Sequence, residues 1–313
     1  VRDAARDFAQ NVLKPGVIER DTEQRFPAEE VKQLAELGLI GITAQESSGG
    51  LEQPLVVMAG IAEGAGYAGL AEPLIETAGL IVPLLETLGE TDLLQKVLEG
   101  HARVGLTSSL KPYVTDAQLC QKLIQTDKNE CHLLDMSSVE VTELKSIDPL
   151  RSLSKVKIAS EHDEMTDFRG AVLTAAQLIG LASRMVDMSV EYAKDRQQFG
   201  KPIGSFQAIK HQLANVYTQI EFTRPMIHLA AIKGGVAVHN AKIAAIDTAT
   251  LAVETAIQVH GGMGYTFEVD LHLFMKRAWA LCGVWGDRNY HMKKLEDAIL
   301  GGREALGPGQ TLN

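Results

Sequence analysis

Asp195-Arg-Gln-Gln-Phe-Gly-Lys-Pro-Ile203 and Gln258-Val-His-Gly-Gly-Met-Gly-Tyr265 are the stretches on which the reading of this chain turns. The first lies between two apolar stripes at helical spacing. Leu178, Ile179, Ala182, Met185 and Val186 precede it, and Phe206, Ile209, Leu213, Val216 and Ile220 follow it. Gly200, Pro202 and Gly204 between them spell a turn, with Ser205 as the expected N-cap of the next helix. The second stretch separates a helix predicted over 236–259 from one over 270–281. Its three glycines would stop a helix, and they also let a backbone come close to a phosphate. Arg196 and Phe199 offer a guanidinium fork and an aromatic face, a combination suited to a pyrophosphate and an adenine. An arginine on a hairpin is, by itself, more often simply solvated.

Outward from these stretches the pattern changes twice. The first hundred residues read as helices. In Arg25 to Gly38, Val31, Leu34 and Leu37 recur at helical spacing and Gly38 stands where a C-cap belongs. Leu80 to Leu98 is a second apolar-periodic segment, interrupted at Gly89. From Val104 the segments shorten. Cys120 to Thr126, His132 to Met136, Val139 to Leu144 and Leu153 to Ile158 read as strands, separated by the turn signals Asp127-Lys-Asn and Asp148-Pro149. After Gly170 helices return, the last predicted from Asp287 to Leu300. The expected fold is mainly α with a small β domain. Its parts are an N-terminal helical domain (1–103), a shortened middle β domain (104–165) and a C-terminal four-helix bundle domain (166–313).

A hydrophobic fraction of 45% and a mean hydropathy near zero describe an ordinary globular composition. The net charge of −10 argues against nucleic acid or an anionic membrane as partner, because both require a basic face. Cys120, Cys131 and Cys282 are odd in number and show no C-x-x-C, which suits a reducing compartment without structural zinc. The nine histidines are scattered, and His211, His228 and His239 lie on polar helical stretches without metal-site spacing. No membrane span and no signal peptide is read from the pattern, and position 1 is Val rather than Met. The expected compartment is the cytoplasm.

The two opening stretches, with Gly264-Tyr-Thr-Phe-Glu-Val-Asp270-Leu-His-Leu-Phe-Met-Lys276-Arg277-Ala, resemble the carboxy-terminal domain of flavin-dependent acyl-CoA dehydrogenases. The resemblance runs from about residue 5 to residue 300 and is densest over 178–281. It implies that Arg196, Phe199, Gln258 and Gly262 hold FAD, reaching across a dimer interface to the cofactor of a neighbouring subunit. Thr107 is the one surviving candidate for a hydrogen bond to the flavin ring. The family's Thr-Glu-Pro…Gly-Ser-Asp loop is replaced by Thr107-Ser-Ser-Leu-Lys-Pro-Tyr113, and the segment that would supply the wall beside the flavin is missing.

The base is missing too. Where most members carry a Glu-Gly pair, this chain reads Gly283-Val-Trp285-Gly286-Asp287. Trp285 falls at the base and Gly286 keeps register with the family glycine. At the alternative base position of the isovaleryl and long-chain branches stands Gly170, followed by Ala171. Asp287 is the nearest acid, a fallback base on a register slip of two and otherwise an N-cap. Loss of a general base costs roughly 10²–10⁴-fold in rate. The resemblance therefore implies an acyl-CoA dehydrogenase-like subunit that helps bind FAD for α,β-dehydrogenation of acyl-CoA thioesters beside a homologous catalytic partner, in a hetero-oligomer of the kind seen in sterol side-chain breakdown. A self-sufficient homo-oligomer using Asp287, and a flavin-free partner-binding scaffold, are the rival readings.

Overall fold

Residues 28–70, 74–127, 130–148, 151–157 and 164–302 are described in the computed structural model. Arg25–Pro27 of the first predicted helix, Lys128 and Asn129, Pro149 and Ile158 lie outside them. The N-terminal helices are α1 (Ala28–Glu36), α2 (Leu55–Ala68), α3 and α4 (Thr91–Leu98); α3 runs through Leu74–Glu76, a π-helical turn Thr77–Ile81 and Val82–Leu88. Val31 and Leu34 are buried as predicted, but Leu37 is 57% exposed. The helix stops at Glu36 and Gly38 turns the chain at φ +71°, which carries Leu37 off the apolar face. The π turn has a partner 90 positions further along the chain: Arg169 donates from Nε and Nη2 to the carbonyl of Gly79, at 3.2 and 3.0 Å.

The β region forms two small sheets. Strand β1 (Val104–Thr107) pairs parallel with β3 (Lys122–Asp127), which pairs antiparallel with β4 (Glu130–Asp135). Strands β2 (Tyr113–Thr115), β6 (Leu153–Val156) and β5 (Val141–Leu144) make the other sheet in that spatial order. Val114, Ala117, Leu123 and Val156 form the small core between them. Neither β1 nor β2 has enough alternation to stand out in the sequence. Residues 108–112 link them in a tight turn closed by reciprocal Ser108 and Lys111 backbone bonds of 3.1 Å.

The long helix α5 (Glu164–Asp195) is the axis of the molecule. By length and composition it could cross a membrane, which corrects the sequence reading that nothing approaches such a span; 83% of its apolar window, however, is buried within the protein. It packs against α2 so closely that side chains are excluded. A β-carbon on Gly66 would lie 2.2 Å from the Gln177 carbonyl oxygen, and one on Gly180 2.0 Å from that of Glu63. Helices α6 (Gln207–Lys233), α7 (Val236–His260), α8 (Leu271–Cys282) and α9 (Arg288–Leu300) complete the bundle. Ser205 is not the N-cap of α6: Phe206 is, and the Ser205 hydroxyl turns back to the Pro202 carbonyl, 2.7 Å away. His239 does not lie on a polar face either; it is buried against His291.

A buried ion pair ties the β region to the bundle. Arg277 of α8 pairs with Asp148 and donates a second bond to the Leu70 carbonyl at 2.6 Å. One guanidinium thus joins the end of α2, the β5–β6 connection and α8.

Candidate functional site

Four residues predicted to bind a cofactor meet in one open pocket of about 640 Å³. Helix α5 ends at Asp195, and a two-rung hairpin follows, β7 (Gln197–Gln198) against β8 (Lys201–Pro202). At its tip Phe199 is left-handed, φ +53°, and Gly200 follows at φ +76°. This turn holds the Phe199 ring 90% exposed, edge-on to Phe206 at 6.2 Å. An aromatic side chain presented to water from a disfavoured backbone conformation is more informative than an ordinary exposed apolar residue. Arg196 stands beside it. Across the pocket the last turn of α7, which ends at His260, brings up Gln258, and the 3-10 turn Gly261–Tyr265 that follows brings up Gly262.

The donor set fits FAD. A guanidinium and an amide converge on glycine backbone, and an exposed ring offers a face for a base. A β-carbon on Gly261 or Gly262 would meet nothing within 4 Å, so the backbone there is open to a ligand. Sequence reasoning missed the pocket floor, where Tyr192 stacks on His260 at 4.4 Å. His260 Nδ1–H donates to the Ala256 carbonyl at 2.8 Å, and burial lowers its pKa, so the ring is neutral with Nε2 as acceptor. Tyr192 lies one helical turn before Arg196, the only signal that pointed to it. Thr107 does not join this group: it is buried in β1 and its hydroxyl donates to the Lys111 carbonyl at 3.2 Å.

The two positions that the resemblance assigns to the base lie together in a second, closed place. Trp285 is 3% exposed with φ +59°. Its indole lies on Gly170, where a β-carbon would be 2.3 Å from Cδ2. Neither position supplies a carboxylate, and one ring fills the space between them. Asp287 points elsewhere: its exposed carboxylate accepts from the Tyr290 N–H at 2.7 Å and caps α9.

Near the indole sits an unexpected cation. Lys111 Nζ is 6.0 Å from the Trp285 ring centroid and donates to Glu76 Oε1, the Leu106 carbonyl and the Tyr113 carbonyl at 3.0, 2.8 and 2.9 Å. All three ammonium donors are used. Burial pushes the lysine pKa down while Glu76 opposes the shift. Nearby, Ser108 Oγ donates to Asp167 Oδ1 at 2.9 Å. The 108–112 turn therefore folds inward where the resemblance leads one to expect a flavin-facing loop. Lys111 and Glu76 were not singled out in the sequence; a lone charged residue in a turn ordinarily points to solvent.

Comparison with known proteins agrees with this architecture. Residues 1–104 match the acyl-CoA dehydrogenase N-terminal domain, and residues 168–300 match the acyl-CoA dehydrogenase C-terminal domain. The acyl-CoA dehydrogenase IpdE2 of Mycolicibacterium smegmatis is 30% identical over 84% of this chain and 85% of its own. Among solved structures, butyryl-CoA dehydrogenase from Megasphaera elsdenii superposes with a TM-score of 0.81 at 22% identity, covering 96% of this chain and 97% of its own. A Tcur3481-Tcur3483 steroid acyl-CoA dehydrogenase, a G363A variant, gives 0.82 at 22% identity over 97% and 98%. The chain belongs to the acyl-CoA dehydrogenase family. That family comprises oxidoreductases acting on CH–CH bonds of acyl-CoA thioesters, and its cofactor is FAD.

Proposed function

We propose that this chain is the non-catalytic subunit of a heteromeric acyl-CoA dehydrogenase. It lends Arg196, Phe199, Gln258 and Gly262 to FAD held mainly by a homologous partner, which supplies the base. Bound FAD provides the hydride acceptor. In this reading Arg196 neutralises pyrophosphate charge, Phe199 covers the adenine, and the Gly261-Gly262 backbone lets the phosphates approach. The domains are read as 1–103, 104–165 and 166–313.

The observation that carries the reading is the contrast between the two places. The pocket around Arg196 is open and furnished, whereas the position of the family base is filled by Trp285 lying on Gly170. A partner surface is supported by α6, whose outer face exposes Phe222 (72%), Leu229 (45%) and Ile232 (71%) at helical spacing. A homo-oligomer using Asp287 is disfavoured because that carboxylate is exposed and engaged as a cap.

Purified alone, the chain is expected to be colourless. Co-purified with its partner it should show a flavin spectrum and dehydrogenase activity. A yellow, active homo-oligomer would favour the self-sufficient enzyme; absence of flavin from the complex as well would favour a scaffold. Arg196→Ala should lower the FAD content of the complex and weaken assembly together, and full flavin occupancy in that variant would contradict the assignment.

A further inference from the structure

Behind the Trp285 loop lies a buried polar cluster that the proposed function does not use. His239 of α7 and His291 of α9 are buried and joined Nδ1 to Nδ1 at 2.8 Å. His291 Nε2 lies 2.9 Å from the Trp285 carbonyl oxygen. A carbonyl only accepts, so His291 Nε2 carries hydrogen. In the neutral ring its Nδ1 is then bare and accepts from His239 Nδ1–H. Gly286 closes the arrangement at φ +92°, where a β-carbon would lie 2.7 Å from His291 Nε2.

We propose that the His239–His291 pair is a proton-sensitive latch that positions the Trp285 loop. With a single proton between the two Nδ1 atoms, the chain of bonds from α7 through α9 to the Trp285 carbonyl is complete. When both rings are charged, each Nδ1 carries hydrogen and two donors face each other at hydrogen-bonding distance. The pair must then separate, and His291 withdraws from the carbonyl. Trp285 is held at φ +59°, a conformation that a bulky residue keeps only under constraint. Loss of that bond frees the indole from Gly170.

The surroundings resist protonation. Lys242 of α7 and Lys294 of α9 face the pair with like charge, the Tyr290 ring of α9 lies edge-on to both histidines, Cys282 of α8 lies beside Lys242, and Asp287, the N-cap of α9, is an opposing carboxylate. Helix α5 adds the Phe168 ring, edge-on to His239 at 5.5 Å. Burial first, and then these lysines, push His239 down to about 4 and His291 to about 3. The latch is therefore shut at neutral pH and opens only in acid.

The chain has two tryptophans, so a Trp279→Phe protein reports Trp285 fluorescence alone. This readout does not depend on flavin or on a partner, so it stands apart from the proposed function. Its emission should be blue and poorly quenched by iodide at neutral pH. Between about pH 4 and pH 2, as His291 takes up the second proton, it should shift red, with a several-fold rise in quenching, while the far-UV helical signal persists. In His291→Gln the amide still donates to the carbonyl and still accepts from His239 without titrating, so emission should stay blue over the same range. In His291→Phe, Trp285 should be quenchable at neutral pH. The proposal is overturned by an unchanged acid shift in His291→Gln, by a buried Trp285 in folded His291→Phe, or by loss of emission and helicity together in the parent.

Discussion

The indole of Trp285 rests on the bare backbone of Gly170, so that residues 115 positions apart in sequence form one contact. Each makes the other possible: any side chain at 170 would collide with the ring.

Exchange of the ring for a carboxylate should not restore chemistry. In Trp285→Glu the new acid would find Lys111, whose ammonium already lies 6.0 Å from the ring centroid. Pairing with it would depress the basicity needed for proton abstraction. The expected outcome is no dehydrogenase activity and a stability loss of about 2–4 kcal/mol from the vacated volume, measured by turnover assay and urea unfolding. Robust activity would mean that the site is whole except for its base.

Gly170→Ala should destabilise the protein by about 1–3 kcal/mol through overpacking, although the same exchange in an unconstrained helix stabilises. The decisive measurement is a double-mutant cycle. In a Trp285→Leu background Gly170→Ala should become neutral or stabilising, by up to ~1 kcal/mol.

The helical architecture was legible because it repeats. Leu213, Val216 and Ile220 are buried as their spacing implied, and Gln258 and Gly262 meet Arg196 in a single pocket. What remained hidden depended on long-range contact. Nothing local in Thr107-Ser-Ser-Leu-Lys-Pro says that Lys111 turns inward to Glu76, 35 positions away. His239, on an outwardly unremarkable helix start, acquires its meaning only from His291, and Leu37 was lost because the helix stops one residue earlier than its apolar period does.

Gly262→Val separates ligand contact from folding. A β-carbon there meets no atom of this chain within 4 Å, so the urea midpoint should not move. The FAD content of the assembled complex, read from its absorbance at saturation, should fall. Unchanged occupancy would remove Gly262 from the cofactor site.

The Arg277–Asp148 pair makes a sharper stability prediction. Arg277→Leu removes the guanidinium partner of a buried carboxylate and should cost about 3–5 kcal/mol, by denaturant titration. Adding Asp148→Leu should recover much of that loss. A double variant as unstable as the single one would show that the Leu70 carbonyl, rather than the ion pair, is what the guanidinium serves.

Lys242 should give stability an alkaline slope. Burial pushes its pKa down to about 7, whereas an unfolded lysine titrates near 10.4. Between those values the unfolded chain binds the extra proton, so this contribution is complete above the upper value and is lost as pH falls through the lower. Urea midpoints from about pH 7 to pH 9 should rise relative to a Lys242→Met protein over the same range. Burial raises the thiols of Cys120 and Cys282 in both proteins and tilts both slopes the other way, the more so for Cys282 once Lys242, whose charge lowers it, is gone, so the difference keeps its sign. Parallel slopes would refute it.

The glycines of α5 have a mechanical consequence. At Gly180 the helix touches the backbone of α2, and at Gly170 it touches an aromatic ring, so no side chain cushions either contact. A helix seated directly on its neighbours in this way cannot slide by a fraction of a turn, because the first movement drives atoms together. It behaves as a rigid keel. Any motion that lifts Trp285 off Gly170 must therefore come from the short 283–286 segment and from the histidine of α9 that holds its carbonyl, rather than from a shift of the long helix.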